Sequence, residues 1–171
     1  MLMRTPALMF VTVLAVCTLL LHACNSGNTV FEKNAEIPKG NWTYDVKPAF
    51  EVPVTDTVSR YNVYVNLRHT NSYTYSNMWV IIYTTLPSGK KLERRTELPL
   101  SDKEGKWYGK DSGSIINQQI LIQPNAIMPE AGTYRFEFEQ NMRVNPLPDV
   151  LSIGLSIEKA APETANTKQQ K

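Results

Sequence analysis

The chain has 171 residues, with 18 basic and 16 acidic side chains, two histidines and two cysteines. That length suits one domain with a single real core. The near balance of charge leaves no electrostatic case for nucleic acid or for a strongly anionic surface.

The first 24 residues read as a targeting segment, not as part of the fold. Met1 to Arg4 is a short positive start, and Ala7 to Leu21 (ALMFVTVLAVCTLLL) is an almost unbroken apolar run. The run falls short of the roughly 20 residues a spanning helix needs, and its flanks are those of a secretory signal. It ends in Leu21-His22-Ala23-Cys24, which resembles a bacterial lipobox. In such a motif a small residue precedes a cysteine that is linked to diacylglycerol, becomes the first residue on cleavage and is then acylated on its new amino group. His22 departs from the pattern, standing where a small residue is usual. Cys17 is the poorer candidate, since Val16 is a worse cleavage neighbour than Ala23 and the apolar run continues past it. An ordinary signal peptide or an uncleaved anchor is the alternative.

Cleavage discards Cys17 and leaves Cys24 carrying lipid, so no disulfide is expected and packing alone holds the fold. At about 0.8 kcal/mol per buried methylene, several acyl chains make a permanent anchor. By analogy with known sorting signals, Asn25 and Ser26 favour the outer membrane. The lack of an acidic run after the cysteine points to its periplasmic face. Loss of Arg4 leaves 17 basic against 16 acidic residues in the mature chain, Cys24 to Lys171.

Residues 24–36 read as the lipidated N-terminus and a polar tether, and residues 160–171 (AAPETANTKQQK) as a disordered tail. Between them, over residues 37–159, the signal is strand throughout. "WTYDV" and "AFEVPV" are short candidates, and Pro53 demotes the second to an edge. "SRYNVYVNLRH" alternates, with Tyr61, Val63, Val65 and Leu67 on one face and Asn62, Tyr64, Asn66 and Arg68 on the other. "NMWVIIYTTL" is apolar on both faces, as a central strand would be, and Pro87-Ser88-Gly89 breaks it. "KKLERRTEL" is β-like but heavily charged, which suits an edge guarded against aggregation. "QQILIQ" follows, then "TYRFEFEQ" with Tyr134, Phe136 and Phe138 on one face. "VLSIGLSIE" sets Leu151, Ile153, Leu155 and Ile157 against Ser152, Gly154, Ser156 and Glu158. Strands separated by Pro/Gly/Asn turns, without helices between them, predict an all-β fold: one antiparallel β-sandwich of jelly-roll or C2-like type.

Catalysis finds little support. His69 is the one histidine left after cleavage, no Gly-x-Ser-x-Gly elbow occurs, and His69 is expected to close a strand at the surface. A zinc site needs more such ligands than the mature chain has. Asp102, Glu104 and Asp111 in "SDKEGKWYGKDSG" are interleaved with Lys103, Lys106 and Lys110 and miss the calcium-loop spacing, so a turn-rich connection with local ion pairs is expected. No metal and no cofactor is expected. A carboxylate pair drawn from different strands is neither supported nor excluded.

Aromatic residues are more distinctive. Tyr61, Tyr64, Tyr73, Tyr75, Trp79 and Tyr83 fall within 23 residues. The row Asn62, Tyr64, Asn66, Arg68 offers amide, phenol, amide and guanidinium on one face, and "TNSYTYSNM" could extend it through Tyr73 and Tyr75. Tyrosine and arginine are enriched in the buried centres of protein interfaces. Rings beside amides would also serve a sugar. The plain alternative is that the row lies in water or under a neighbouring loop.

These same stretches carry a resemblance. "RYNVYVNLRHTNSYTYSNMWV", "LPLSDKEGKWYGKDSG", "AGTYRFEFEQNMR" and "VLSIGLSIEK" together resemble the gliding-motility lipoprotein family GldH of Bacteroidetes, over roughly Phe31 to Lys159. The most specific pieces are Tyr61-Asn62-x-Tyr64-x-Asn66-Leu67-Arg68-His69 with Tyr73 and Tyr75 downstream, and the Gly105-x-Trp107-x-Gly109 turn. The resemblance implies an envelope lipoprotein associated with the gliding apparatus and with surface-protein export, and it carries over no catalytic residue. Relatives also occur in bacteria that do not glide. The resulting expectation is a non-enzymatic, membrane-tethered sandwich. Its envelope protein partner would be bound through Asn62, Tyr64, Asn66, Arg68, Tyr73 and Tyr75, with a carbohydrate or peptidoglycan ligand as the alternative.

Overall fold

The alternation around Tyr61 becomes the longest inward-facing row of the molecule. In the computed structural model, which describes residues 28–161, Tyr61, Val63, Val65, Leu67 and His69 are all buried along one strand, Arg60–Thr70. Cys17, Cys24 and the tail beyond Ala161 lie outside the described residues.

The described residues form eleven strands: β1 (Thr29–Glu36), β2 (Asn41–Trp42), β3 (Ala49–Val54), β4 (Arg60–Thr70), β5 (Asn77–Thr85), β6 (Lys91–Pro99), β7 (Lys110–Ser112), β8 (Ile115–Ile127), β9 (Gly132–Gln140), β10 (Leu147–Pro148) and β11 (Val150–Lys159). A single 3₁₀ turn, Pro38–Gly40, is the only helical segment among the described residues. The strands form a five-stranded sheet ordered β1-β11-β4-β8-β7, a four-stranded sheet ordered β3-β9-β5-β6, and the small pair β10-β2. All pairings are antiparallel. Apart from the β5–β6 hairpin, each long strand is followed by one in the opposite sheet, the double Greek key of a jelly roll.

The core lies between the two sheets, where period-two patterning puts apolar side chains from both. Met78, Val80, Leu98, Phe138, Leu155 and Ile157 are all essentially inaccessible, and Phe50 meets Phe138 edge to face with centroids 5.9 Å apart. The other expectations for the four-stranded sheet are met. β3 with Pro53 and the charged β6 are its edges, and β5 runs between β9 and β6.

Four expectations are corrected. First, the stretch read as a tether through residue 36 is a strand from Thr29: β1 pairs with β11 over Thr29–Glu36. Lys33 obscured its alternation by falling among the inward positions Phe31 and Ala35, where at an open sheet edge its stem runs out to water. Second, the Ser152-Gly154-Ser156 face of β11 is buried. Long side chains of β1 and β4 lean over these small residues from both sides. Third, His69 is fully buried, because it continues the inward parity of Tyr61 through Leu67. Fourth, "WTYDV" supplies only Trp42 to a strand, the two-residue β2 that begins at Asn41, after which Val46 N–H turns back to Thr43 O at 3.1 Å.

Candidate functional site

Because Tyr61 to His69 face inward, Asn62, Tyr64, Asn66 and Arg68 must face outward, and they lie half-buried on the outer face of the five-stranded sheet. Register sets their neighbours. Arg68 stands beside Ser152 of β11 and Asn117 of β8, Asn66 beside Gly154 and Gln119, and Tyr64 beside Ser156 and Leu121. Across β11, Ser152, Gly154 and Ser156 stand beside Glu36, Asn34 and Glu32 of β1. On this face β11, between β1 and β4, thus carries almost no side-chain bulk, and its neighbours carry amides, acids and an arginine.

The flanks bridge the trough. Asn66 Nδ2 donates to Glu32 Oε1 at 3.1 Å, and Arg68 Nη1 pairs with Glu36 Oε1 at 3.3 Å. Asn62 is occupied elsewhere, its Oδ1 accepting from Asn125 N–H at 3.1 Å. Beyond the bridges an open groove of about 550 Å³ is lined by Glu32, Asn34, Asn66, Arg68, Tyr108, Gly109, Lys110, Asn117 and Gln119, among others. Tyr108 stands 59% exposed at its rim. Amides that both donate and accept, mixed charges and exposed phenol suit reversible recognition of a polar chain.

Sequence reading found β4's share of this site and missed the rest. Glu32 and Asn34 sat in the supposed tether. Asn117 and Gln119 alternate with Ile116 and Ile120 in "IINQQILIQ", a period-two signal that could have placed them beside β4 had the strand order been known.

Tyr73 and Tyr75 do not join this face. Tyr73 is 4% exposed; its hydroxyl donates to Asn77 O at 3.1 Å, and burial pushes the phenol above its usual 10. Tyr75 packs on it edge to face at 5.7 Å and is half-buried against the core. Both belong to an aromatic plug at the end of the sandwich, where His69 lies 5.4 Å from Tyr73 and 4.7 Å from Trp107. The Tyr73 contact assignment is therefore withdrawn, since the β4–β5 turn folds its ring inward.

The Trp107 side of the plug comes from the turn at 101–109, held otherwise than expected. Asp102 Oδ1 accepts from Lys106 N–H at 2.8 Å and Glu104 N–H at 3.1 Å, an Asx-type turn and not a set of ion pairs. Gly105, at φ +84, supplies the left-handed turn residue. Among the described residues no three His, Cys, Asp or Glu side chains come together as metal ligands would.

His69 Nδ1 lies 2.8 Å from Thr70 O, so Nδ1 carries the proton and Nε2 is left buried without a partner. Burial lowers the imidazole pKa below its usual 6.5. The unfolded chain therefore binds a proton more readily, and folding stability should fall as pH drops below about 6.5, levelling off once the folded imidazole also protonates. Denaturant unfolding at pH 7.5 and 5.5 checks this. His69→Phe should flatten the dependence in that window, and an unchanged slope would remove His69 as its source. Asp56 and Glu139, both held below the carboxylate range by hydrogen bonds, act in a more acid window.

The outer face of the other sheet is aromatic and charged but closed on itself. The Arg95 guanidinium lies 3.8 Å over the Trp79 ring while its Nε donates to Asn141 Oδ1 at 2.7 Å. Lys47 and Tyr83 both engage Glu139, at 2.7 and 3.0 Å.

The chain is similar in sequence to known lipoproteins. A relative from Christiangramia forsetii, "Gliding motility lipoprotein GldH homolog", is 26% identical over 152 residues, covering 85% of this chain and 93% of its own length. "Gliding motility lipoprotein GldH" of Flavobacterium johnsoniae is 25% identical over 154 residues, covering 86% and 94%. Among solved structures, a carbohydrate-binding module specific for non-crystalline cellulose overlays at a TM-score of 0.41 with 10% identity, over 81% of this chain and 79% of that one. A mitogen from Yersinia pseudotuberculosis overlays at 0.30 with 9% identity, over 82% and 98%. Overlays this loose decide nothing about this chain. The family model described as GldH lipoprotein matches residues 29–157, and this chain belongs to that family.

Proposed function

We propose that the protein is a non-enzymatic envelope lipoprotein, held by acyl chains on Cys24 in the outer membrane and facing the periplasm. It serves the gliding-motility apparatus by binding another protein through the outer face of the five-stranded sheet. Family membership supports the lipoprotein and motility parts of this reading. The single observation that supports the contact face is the groove itself, where three strands far apart in sequence bring Asn34, Asn66, Arg68, Asn117 and Gln119 to one polar trough. The contact set keeps Tyr64, Asn66 and Arg68 and gains Asn34, Asn117 and Gln119. The same amides and phenols favour a glycan as the second reading.

In-cell cross-linking of the lipidated chain, with mass spectrometry of what it carries down, tests the proposal. The double variant Tyr64→Ala with Arg68→Ala should lose at least tenfold of the captured partner. Folding stability should change by less than about 1.5 kcal/mol, because the Arg68–Glu36 pair is largely solvent-exposed. Undiminished capture would remove this face as the site. Glycan fragments recovered alone, without protein, would favour the second reading.

A further inference from the structure

Both ends of the described chain lie at one end of the sandwich. Lys159 N–H donates to Asn28 O at 2.7 Å and Ala160 N–H to Arg60 O at 2.9 Å. Arg60 pairs with Ile127 at the end of β8, and Val54 with Gly132 at the end of β3. The β5–β6 turn reaches the same end, where Ser88 N–H donates to Glu130 at 2.8 Å. Four peptide steps separate Cys24 from Asn28, a span of at most about 14 Å fully extended. With Cys24 acylated, this end cannot stand off the lipid. The opposite end, across the 11 residues of β4, is about 36 Å further away at some 3.3 Å per residue.

The near end carries apolar side chains where a soluble loop would be polar. Val58 at the tip of the β3–β4 loop is 89% exposed, and Ile127 and Val30 close by are 53% and 49% exposed. Exposure of Val58 is built into the loop. Asp56 Oδ1 accepts from Val58 and Ser59 N–H at 3.1 and 3.0 Å. Asp56 Oδ2 accepts from Ser59 Oγ at 2.6 Å and from Lys159 Nζ at 2.8 Å. The turn is pinned from both sides with the isopropyl group pointing away from the protein. Exposed cations suited to phosphate stand at the same end, Arg60 at the start of β4 and Lys90 and Lys91 in the β5–β6 hairpin.

We propose that this end of the sandwich is a membrane-docking surface, with Val58 and Ile127 entering the headgroup layer of an anionic bilayer. It rests on the Cys24 anchor of the proposed function and adds an orientation. The strands stand upright on the membrane, and the aromatic-plugged end and the groove's far half point into the aqueous compartment. One valine and one isoleucine add little affinity, but the anchor makes their encounter intramolecular, so a small preference suffices to set the orientation.

The full lipidated chain, reconstituted in phosphatidylethanolamine–phosphatidylglycerol vesicles, tests this with a single added cysteine, Val58→Cys or Thr74→Cys. Each carries an environment-sensitive fluorophore, and the lipid has brominated acyl chains. Thr74 is exposed at the far end. The label at position 58 should be quenched at least threefold more than that at 74, with a blue-shifted emission. Equal quenching, or more at 74, would overturn the docking surface while floating vesicles still report an intact anchor. A chain that does not float with the vesicles would overturn the anchor and the docking surface together. A blue shift at 58 without bromolipid quenching would mean that protein covers this end, and would also overturn the proposal.

Discussion

Trp42→Ala is expected to remove about 3–5 kcal/mol of folding stability, the range for deleting a buried indole, and so a large share of the 5–15 kcal/mol a domain of this size has. Trp42 is fully inaccessible although its strand has only two residues. Its Nε1–H donates to Val46 O at 2.7 Å, and its backbone pairs with Leu147. Gln140, itself fully buried, donates to Trp42 O at 3.4 Å and to Val144 O at 3.1 Å, and accepts from Met142 N–H at 2.9 Å. The indole thus closes the far end of the sandwich through a polar hub, and its loss leaves both a cavity and an unpaired carbonyl. Trp42→Phe, which keeps ring bulk and loses the N–H, should cost clearly less. Urea unfolding of the three proteins decides the matter. A loss under about 1.5 kcal/mol for the alanine variant would show that the end collapses onto the gap.

Gly154→Val should be the second most damaging change, and the one that couples fold to site. Gly154 has no unusual backbone angle. What it provides is close approach, since a Cβ there would overlap the Asn34 side-chain oxygen and stand 2.6 Å from Lys33 O. The side chain of Asn34 can move, but the Lys33 carbonyl belongs to β1, so the added methyls push an edge strand off its ladder. Overpacking of this kind costs about 1–3 kcal/mol, with the upper end expected for valine. Hydrogen exchange should then show β1 amides exchanging faster while β4 and β5 stay protected. Because Asn34 and Glu32 reach the groove from β1, partner capture should fall in parallel. Full stability in Gly154→Val would mean that β1 is not held as closely as the geometry implies.

These two positions mark where local reading of the chain stops. The long strands β3, β4, β5, β6, β9 and β11 were legible because each has a run of alternation or a charged edge that one sheet environment produces. β1 was not, because its inward row contains Lys33 and its outward row after Val30 is polar (Glu32, Asn34, Glu36), which is also the composition of a tether. Tyr73 was misplaced for the opposite reason. A tyrosine in a polar loop fits surface and core equally well, and only the turn between β4 and β5 decides which.

The sequence by itself determined the all-β class, the boundaries of most long strands, the edge character of β3 and β6, and the membership carried by "YNVYVNLRH" and "GKWYG". All of these rest on local periodicity, turn chemistry or residue identity. Tertiary structure alone decided that β1 lies beside β11 and β8 beside β4, and so that Glu32, Asn34, Asn117 and Gln119 share a groove with Asn66 and Arg68. It also decided that His69 is buried and that Val58 stands bare at the end of the sandwich where the described chain begins. The reason is physical: period two tells each strand which of its residues face the same way but not which strand lies 4.8 Å to its side. In a jelly roll, where most sheet neighbours are distant in sequence, that second fact is the one from which a site is built.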